Sequence, residues 1–149
     1  MLLDLERQLT PNFKLKEFFT TNKKHGGQAG LVEDFNQLPE HEQEGILANL
    51  QELAFRLQFV KDKYLARKPI LITSGWRSLR VNKLVGGAMP TKKSPGSYHL
   101  RGMAADFIVE GLTPHQVQVI LDPHWPGGME LVAGWTHLDT RPTRARFRP

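Results

Sequence analysis

The feature that most constrains the fold is a long series of apolar residues at helical spacing between residues 39 and 67. These residues recur in steps of three and four, which places them along one face of an α-helix. Pro39 suits the first helical turn, and Pro69 ends the pattern. We therefore predict a helix over residues 40–66 that buries one face. The apolar residues in this series are Ile46, Leu50, Leu53, Leu57, Val60 and Tyr64.

Short runs of β-favouring residues on the C-terminal side of this helix predict a small sheet. Ile70–Thr73 is predicted to be a buried strand, and Ala104–Val109 is predicted to be a second strand. Residues 129–132 and 135–139 are predicted to pair as antiparallel strands around a two-residue turn, Ala133-Gly134. The expected class is therefore α+β, with a small, mainly antiparallel sheet packed against one long helix and shorter helices.

The remaining segments are predicted to form shorter elements, one loop and a C-terminal tail. Ser78–Val85 and Thr113–Leu121 have the pattern of short helices, and Thr113 and Pro114 suit the start of the second one. Phe13–Phe19 is expected to be a short element packed on the core. The Gly-rich, basic segment Lys23–Gly30 is predicted to be a mobile loop. Residues 141–149 form a basic, proline-bracketed tail that we expect to be a solvated extension.

Size and composition restrict the class of protein. The chain has 149 residues and 40% hydrophobic content, which predicts one folded domain over residues 1–149. A net charge of +5 favours an anionic partner, such as a cell-wall polymer, nucleic acid or lipid headgroups, with solubility alone as the equal alternative. Cysteine is absent from the sequence, so histidine and carboxylate side chains must hold any transition metal.

The N-terminal sequence and the hydropathy bear on where the protein acts. Residues 1–8 lack the basic start and the continuous apolar stretch of a secretory signal, and no apolar run is long enough to cross a bilayer. We therefore expect synthesis in the cytoplasm without a signal peptide and no membrane insertion.

Three side chains in the second half of the chain suit a metal ion. His99 and Asp106 are seven residues apart, and small residues between them permit a loop to supply the histidine and the next strand the carboxylate. His137 supplies a second imidazole. Two imidazoles and one carboxylate match a catalytic zinc site with a fourth position for water. Taken singly, Asp106 has the alternative of a buried salt bridge or cap, and each histidine that of a hydrogen-bonded structural residue.

The predicted turn at Ala133-Gly134 brings carboxylates close to His137. Counting outward from the turn pairs Glu130 with His137, so both project from the same face of the sheet. Glu130 is therefore a candidate general base. Asp139, two residues beyond His137, shares that face and competes for this role, or it orients a ligand histidine. The remaining alternative for Glu130 is an exposed strand carboxylate.

The pattern Ser97-x-His99-x-x-Gly102-x-Ala104-x-Asp106, followed by His137, resembles the zinc-binding pattern of the M15 peptidases. The resemblance extends to Thr-Ser-Gly-Trp-Arg-Ser at residues 73–78 and to residues 12–18, as in the small single-domain branch common in phages and prophages. The family includes D,D-carboxypeptidases, D,D-dipeptidases and the L-alanyl-D-glutamate endopeptidases of phage lysins.

This resemblance implies one zinc ion held by His99, Asp106 and His137. It implies that Arg77 contacts a substrate carboxylate or carbonyl, and that Ser97 hydrogen-bonds a ligand or the substrate. The sequence departs from the family at the general base, because many members carry Asp or Glu three residues before the last histidine, where this chain has Gly134. The expected catalytic residues are therefore Arg77 and either Glu130 or Asp139.

The combined prediction is a monomeric zinc metallopeptidase that hydrolyses an amide bond in peptidoglycan stem peptides. Such a protein reaches the cell wall through a holin or as a virion component. The alternative is a non-catalytic, zinc-stabilised peptidoglycan-binding module on the same scaffold, similar in principle to the Hedgehog signalling domain. A nucleic-acid partner is not expected, since only the arginine-rich tail favours it and no basic motif with interleaved aromatic residues is present. The peptide bond cleaved, its stereochemistry, and a phage or bacterial role stay open.

Overall fold

The computed structural model describes residues 2–149 and places the three candidate metal ligands on one side of a five-stranded sheet. The sheet has the strand order β3–β4–β6–β5–β7, and β1 and β2 form a separate hairpin. Neighbouring strands of the sheet are antiparallel except β5 and β7, which are parallel. The predicted α+β class with a mainly antiparallel sheet is confirmed. The strands are β1 (Gln8–Thr10), β2 (Phe13–Lys14), β3 (Ile70–Ser74), β4 (Ala104–Val109), β5 (Gly128–Leu131), β6 (Thr136–Asp139) and β7 (Ala145–Phe147); the α-helices are α1 (Gly27–Asn36), α2 (Glu40–Tyr64), α3 (Leu79–Leu84) and α4 (Pro114–Leu121).

Helix α2 is the predicted long helix, and its apolar face lies in the core. Five of the six predicted residues are buried, and Tyr64 is partly buried against the same cluster. The helix ends at Tyr64, two residues before the predicted end. Ala66 and Arg67 adopt left-handed conformations with φ of 52° and 59°. The Nζ atom of Lys61 donates to the Arg67 carbonyl at 2.8 Å, which holds this turn in place.

Strand β3 is an edge strand, so the prediction of a buried strand is wrong for one of its faces. Ile70 and Ile72 are buried, whereas the side chain of Leu71 is 61% exposed. Leu71 lies directly opposite Ile108, which is 41% exposed. Because both residues project from the same face, this end of the sheet is open on that side.

The segment Lys23–Gly30 is structured, which corrects the predicted mobile loop. A short 3₁₀ turn is followed by helix α1. The ring of Phe35, near the end of α1, packs edge-on against Phe19 at 5.4 Å and Trp76 at 5.5 Å, centroid to centroid. Burial of these rings stabilises the helix by more than the helical glycines cost.

The other predicted short elements are present. Phe13, Leu15, Phe18 and Phe19 of the N-terminal element are buried. Ser78 caps α3 by accepting a hydrogen bond from the Val81 backbone N–H. Helix α4 begins with the predicted cap, in which the Thr113 side chain and the Gln116 side chain each accept from the other's backbone N–H.

The C-terminal segment belongs to the sheet, which corrects the prediction of a solvated tail. Strand β7 pairs with β5, and Phe147 lies beside Glu130 in this register. Arg144 and Arg146 bind the side chain and carbonyl of Asp122 at the end of α4. These ion pairs and the strand pairing hold a segment whose own sequence has little apolar content. Within residues 2–149, no helix has the length and apolar character needed to cross a membrane.

Candidate metal centre

One face of the sheet collects the candidate functional residues from three neighbouring strands. Asp106 on β4 is paired with His137 on β6, and His137 is paired with Glu130 on β5. Directly opposed residues project from the same face. The predicted pairing of Glu130 with His137 is therefore confirmed. The connection is wider than the predicted two-residue turn, since all of residues 132–135 lie outside the strands.

A short 3₁₀ helix over Tyr98–Arg101 brings His99 to this face. The Ser97 Oγ atom accepts a hydrogen bond from the His99 backbone N–H at 3.2 Å and so caps the helix. Gly102 then turns the chain with a φ of 72°, and a Cβ atom there would lie 2.9 Å from the Ile46 carbonyl oxygen. The motif therefore needs a glycine at this position, both for the left-handed conformation and for the close approach to α2.

Three donor atoms converge in the centre of this face. The Asp106 Oδ1 atom lies 2.8 Å from His137 Nδ1 and 3.3 Å from His99 Nε2. One ligand atom from each of these buried residues lies within 4.8 Å of the others, so the group could hold a metal ion. Ligands at zinc distances of roughly 2.0–2.1 Å in a tetrahedron lie about 3.3 Å apart, which is close to this arrangement.

The hydrogen bonds of His99 leave one ring nitrogen for a metal. Its Nδ1 atom lies 2.7 Å from the Gly75 carbonyl oxygen, so Nδ1 carries the proton. The Nε2 atom is buried and makes no hydrogen bond within residues 2–149. An unprotonated, buried ring nitrogen directed at a carboxylate is unfavourable by itself, but it suits a metal ligand.

Asp139 holds His137 from the side opposite Asp106. The His137 Nε2 atom lies 3.0 Å from Asp139 Oδ2, which leaves Nδ1 to face the other two donor atoms. Asp139 is fully buried. Its carboxylate also accepts hydrogen bonds from Arg141 Nε and Nη2, both at 2.7 Å, and from the Gly128 N–H at 3.0 Å. Both carboxylate oxygens of Asp139 are therefore hydrogen-bonded to protein groups.

The pKa values of these groups reflect the same contacts. Burial opposes ionisation of Asp106, but hydrogen bonds and charge from His137 and His99 outweigh it and hold the Asp106 pKa below its usual range. Burial lowers the pKa of His99. Burial also disfavours the charged form of His137, but Asp106 and Asp139 outweigh it and raise the pKa of His137 to about 9. Without a metal, these contacts favour the protonated form of His137 below about pH 9.

Arg77 donates a hydrogen bond to the second carboxylate oxygen of Asp106. Its Nη2 atom donates to Asp106 Oδ2 at 3.1 Å, and its Nε and Nη1 atoms donate to Ser74 Oγ and Asn82 Oδ1 at 3.0 and 3.4 Å. Burial lowers the pKa of Arg77, while the charges of Asp106 and Glu130 oppose this shift. The salt bridge considered as the alternative for Asp106 is therefore present, but it leaves Oδ1 for the histidines.

The donor atoms face a cleft of about 450 Å³. Glu130 lines the cleft, and no hydrogen bond to its carboxylate is present in the described part of the chain. Gly134 lies outside the cleft in the exposed connection, with open space around it. The residues that line the cleft are Arg77, Val85, Gly86, Gly87, Ala88, Gly96, Ser97, Tyr98, His99, Asp106, Glu130, Trp135, His137, Arg141 and Phe147.

The structure adds three aromatic residues and one arginine that the sequence did not indicate for the site. Tyr98 and Trp135 each neighbour a predicted motif residue, and this proximity was the available signal. Phe147 reaches the cleft because β7 pairs with β5, whereas Arg141, two residues after β6, is held there by Asp139. Nothing in the local sequence predicts that parallel pairing.

Comparison with protein families identifies the scaffold. The model of the family described as Peptidase M15 matches residues 11–139, which is well over half of the chain and includes all three candidate ligands. Neither the curated proteins nor the solved structures gave a match. The match agrees with the buried His-Asp-His group and the α+β sheet. The chain therefore belongs to the Peptidase M15 family, a family of peptidases.

Proposed function

We propose that the protein is a zinc-dependent peptidase that hydrolyses an amide bond in the stem peptides of peptidoglycan. The observation that carries this proposal is the convergence of His99 Nε2, Asp106 Oδ1 and His137 Nδ1 in an open cleft that also contains Glu130. One zinc ion would be held by these three atoms. When bound, zinc supplies Lewis acidity towards a peptide carbonyl and lowers the pKa of water.

Glu130 acts as the general base in this proposal. Its carboxylate lies opposite His137, lines the cleft and makes no hydrogen bond within residues 2–149. It takes a proton from the attacking water as the water oxygen bonds to the carbonyl carbon. It then passes this proton to the nitrogen of the breaking C–N bond. One water and one amide thereby give one carboxylic acid and one amine.

The neighbouring polar residues position the ligands. Arg77 fixes Asp106, and its remaining N–H groups can donate to a substrate carbonyl as negative charge develops on the oxygen. Asp139 fixes the tautomer and the ring orientation of His137. Ser97 fixes the backbone of His99 and borders the cleft, where it can also contact the substrate.

The charge of the chain favours an anionic partner, and cell-wall polymers provide one. We propose that residues 1–149 act as one domain and as a monomer, with a lytic role of the endolysin type. The scissile bond is of the D,D or L,D type, as in the branches of the family named above.

The proposal is tested by incubating the zinc-loaded protein with purified peptidoglycan and measuring newly released amino groups. The expected result is amine release that His99→Ala abolishes, because this variant removes one ligand. His115→Ala is the matched control, since His115 is exposed on α4, away from the cleft. Absence of amine release from the wild type with zinc or any other divalent metal would contradict the proposal.

One observation favours a second function, a zinc-stabilised binding module without hydrolysis. Many family members carry a carboxylate where this chain has Gly134, and Gly134 lies outside the cleft. A binding module retains peptidoglycan fragments without releasing amines. It also loses much of its thermal stability when zinc is removed, because metal binding contributes to folding.

A further inference from the structure

We propose that Arg141 binds a carboxylate group of the peptide substrate, as part of a wall of the cleft formed by Tyr98, Arg141 and Phe147. This inference rests on the proposed function, because it names the chemistry that the same cleft selects. Arg141 and Phe147 lie beyond residues 11–139, which the family comparison covers. The family match therefore covers Tyr98 but neither Arg141 nor Phe147.

Two aromatic rings hold the guanidinium of Arg141. Its central carbon lies 4.6 Å from the centroid of the Tyr98 ring and 4.9 Å from that of the Phe147 ring. Contacts of this kind stabilise a cation over an aromatic ring and fix the plane of the guanidinium. Arg141 is thus held in one orientation before any substrate arrives, which lowers the entropic cost of binding.

One edge of this guanidinium is engaged and the other is open. The Nε and Nη2 atoms donate to the two oxygens of Asp139 at 2.7 Å. The Nη1 atom makes no hydrogen bond within residues 2–149, and it is accessible to solvent. The side chain of Arg141 as a whole is 21% exposed. The free edge, formed by Nη1 and the second N–H of Nη2, matches the two oxygens of a carboxylate.

Arg77 is less suited to this role, although it also lines the cleft. All three of its guanidinium nitrogens already donate to protein oxygens, on Asp106, Ser74 and Asn82. Arg141 retains a nitrogen with no partner among the residues described. The guanidinium nitrogen free to bind a substrate carboxylate therefore belongs to Arg141, while the remaining N–H groups of Arg77 suit a carbonyl oxygen.

The wall of Tyr98, Arg141 and Phe147 borders the same cleft as the candidate metal ligands, so it can select the substrate group beside the scissile amide. Phe147 is in register with Glu130 on the adjacent strand, and its ring centroid lies 5.9 Å from that of His137. A carboxylate bound to Arg141 on the cleft side would therefore share the cleft with the proposed base and metal ligands. The substrate class is a peptide with a free carboxylate near the bond that is cut.

The test compares peptides that differ only in charge. The probes are the stem tetrapeptide L-Ala-γ-D-Glu-L-Lys-D-Ala and two derivatives, amidated either at the D-Glu α-carboxylate or at the C-terminus. Binding to the zinc-loaded protein is followed by stopped-flow tryptophan fluorescence before turnover, because Trp135 lines the cleft. We expect one of the two amidations to weaken binding roughly tenfold or more.

Variants assign this preference to Arg141. Arg141→Gln is expected to bind the acid and the amide equally, whereas Arg148→Gln, an equal charge change at an exposed position of the same segment, keeps the preference. Because Arg141 also holds Asp139, Phe147→Leu is a second variant that keeps this ion pair and removes one aromatic contact. We expect it to reduce the preference for the acid with its zinc content unchanged.

Equal binding of all three peptides to the wild type would overturn the inference. So would a preference for the acid that persists in Arg141→Gln or is undiminished in Phe147→Leu. The readout does not require cleavage. A protein that releases no amines but keeps an Arg141-dependent preference for the acid would therefore refute the peptidase proposal and leave this inference standing.

Discussion

Glu130 lies directly opposite His137 across the β5–β6 ladder, and the two side chains share the open face of the sheet. This relationship places a carboxylate without a hydrogen-bond partner in the described chain next to a candidate metal ligand. In the proposed function, this carboxylate on the neighbouring strand replaces the acidic residue that the resemblance leads us to expect where the chain has Gly134. The proposed hydrolysis therefore depends on Glu130.

Replacing Glu130 with glutamine should abolish turnover and leave zinc bound. The amide keeps the shape of the side chain but cannot accept the proton, so we expect a loss of roughly 10²–10⁴-fold in kcat. Zinc content and thermal stability should be unchanged. Glu110→Gln, at an exposed position just after β4, is the matched control. Activity within a few-fold of wild type in Glu130→Gln would remove Glu130 from the mechanism.

Asp139→Asn separates the two roles considered for this residue. The Asp139 carboxylate is hydrogen-bonded to His137, Arg141 and the Gly128 N–H. Because it orients His137, we expect the substitution to weaken zinc binding about 10–100-fold. Competition with a chromophoric chelator measures this affinity. If zinc affinity stays at the wild-type value while kcat collapses, Asp139 acts as the base instead.

Zinc binding should release one proton from His137. The pKa of His137 is raised to about 9 in the metal-free protein, so at pH 6 its ring is protonated and must lose that proton to become a ligand. His99, whose pKa is lowered, contributes little. Zinc affinity should therefore rise with pH up to about 9.

Calorimetry at pH 6 in buffers of different ionisation enthalpy counts the protons released. This pH lies below the range in which zinc ionises water, so the count reports the ligands alone. We expect about one proton per zinc ion. A count of zero would show that His137 is neutral in the free protein.

Gly102→Ala should destabilise the fold. Its φ of 72° is unfavourable for alanine, and the new Cβ atom would lie 2.9 Å from the Ile46 carbonyl and 3.1 Å from Leu50 Cγ. We expect a loss of roughly 1–3 kcal/mol in the free energy of unfolding. Urea denaturation measures it. Gly45→Ala, on the helix α2 that Gly102 approaches, is the control. A Cβ atom at residue 45 meets no atom within 4 Å, so this substitution should stabilise α2 by roughly 0.5–1 kcal/mol.

The parts of the fold that were predictable from sequence have strong local patterns. The periodic apolar face predicts α2, the Thr-Pro start predicts α4, and the short hairpin connection predicts the register that pairs Glu130 with His137. In each case the signal lies within about 25 residues of chain. The resemblance of residues 97–106 and His137 adds the candidate ligand set, which the structure brings together in one buried group.

The parts that were missed depend on contacts between distant segments. Helix α1 contains glycines that favour a loop, and contacts with distant segments, including the packing of Phe35 against Phe19 and Trp76, stabilise it. Strand β7 has only three residues, in an arginine-rich segment, and it pairs with β5 and not with β6, the strand that precedes it in the chain. For the same reason the contribution of Phe147 to the cleft was not visible in the sequence.

The central claim is amide hydrolysis, and mass spectrometry of digested muropeptides in ¹⁸O-labelled water tests it most directly. The zinc-loaded protein should convert a muropeptide into two products, one of which carries a single ¹⁸O atom in its new carboxyl group. The position of the label identifies the bond cut, and the metal-free protein should give no label. Intact, unlabelled muropeptides after incubation with the zinc-loaded protein would contradict the account.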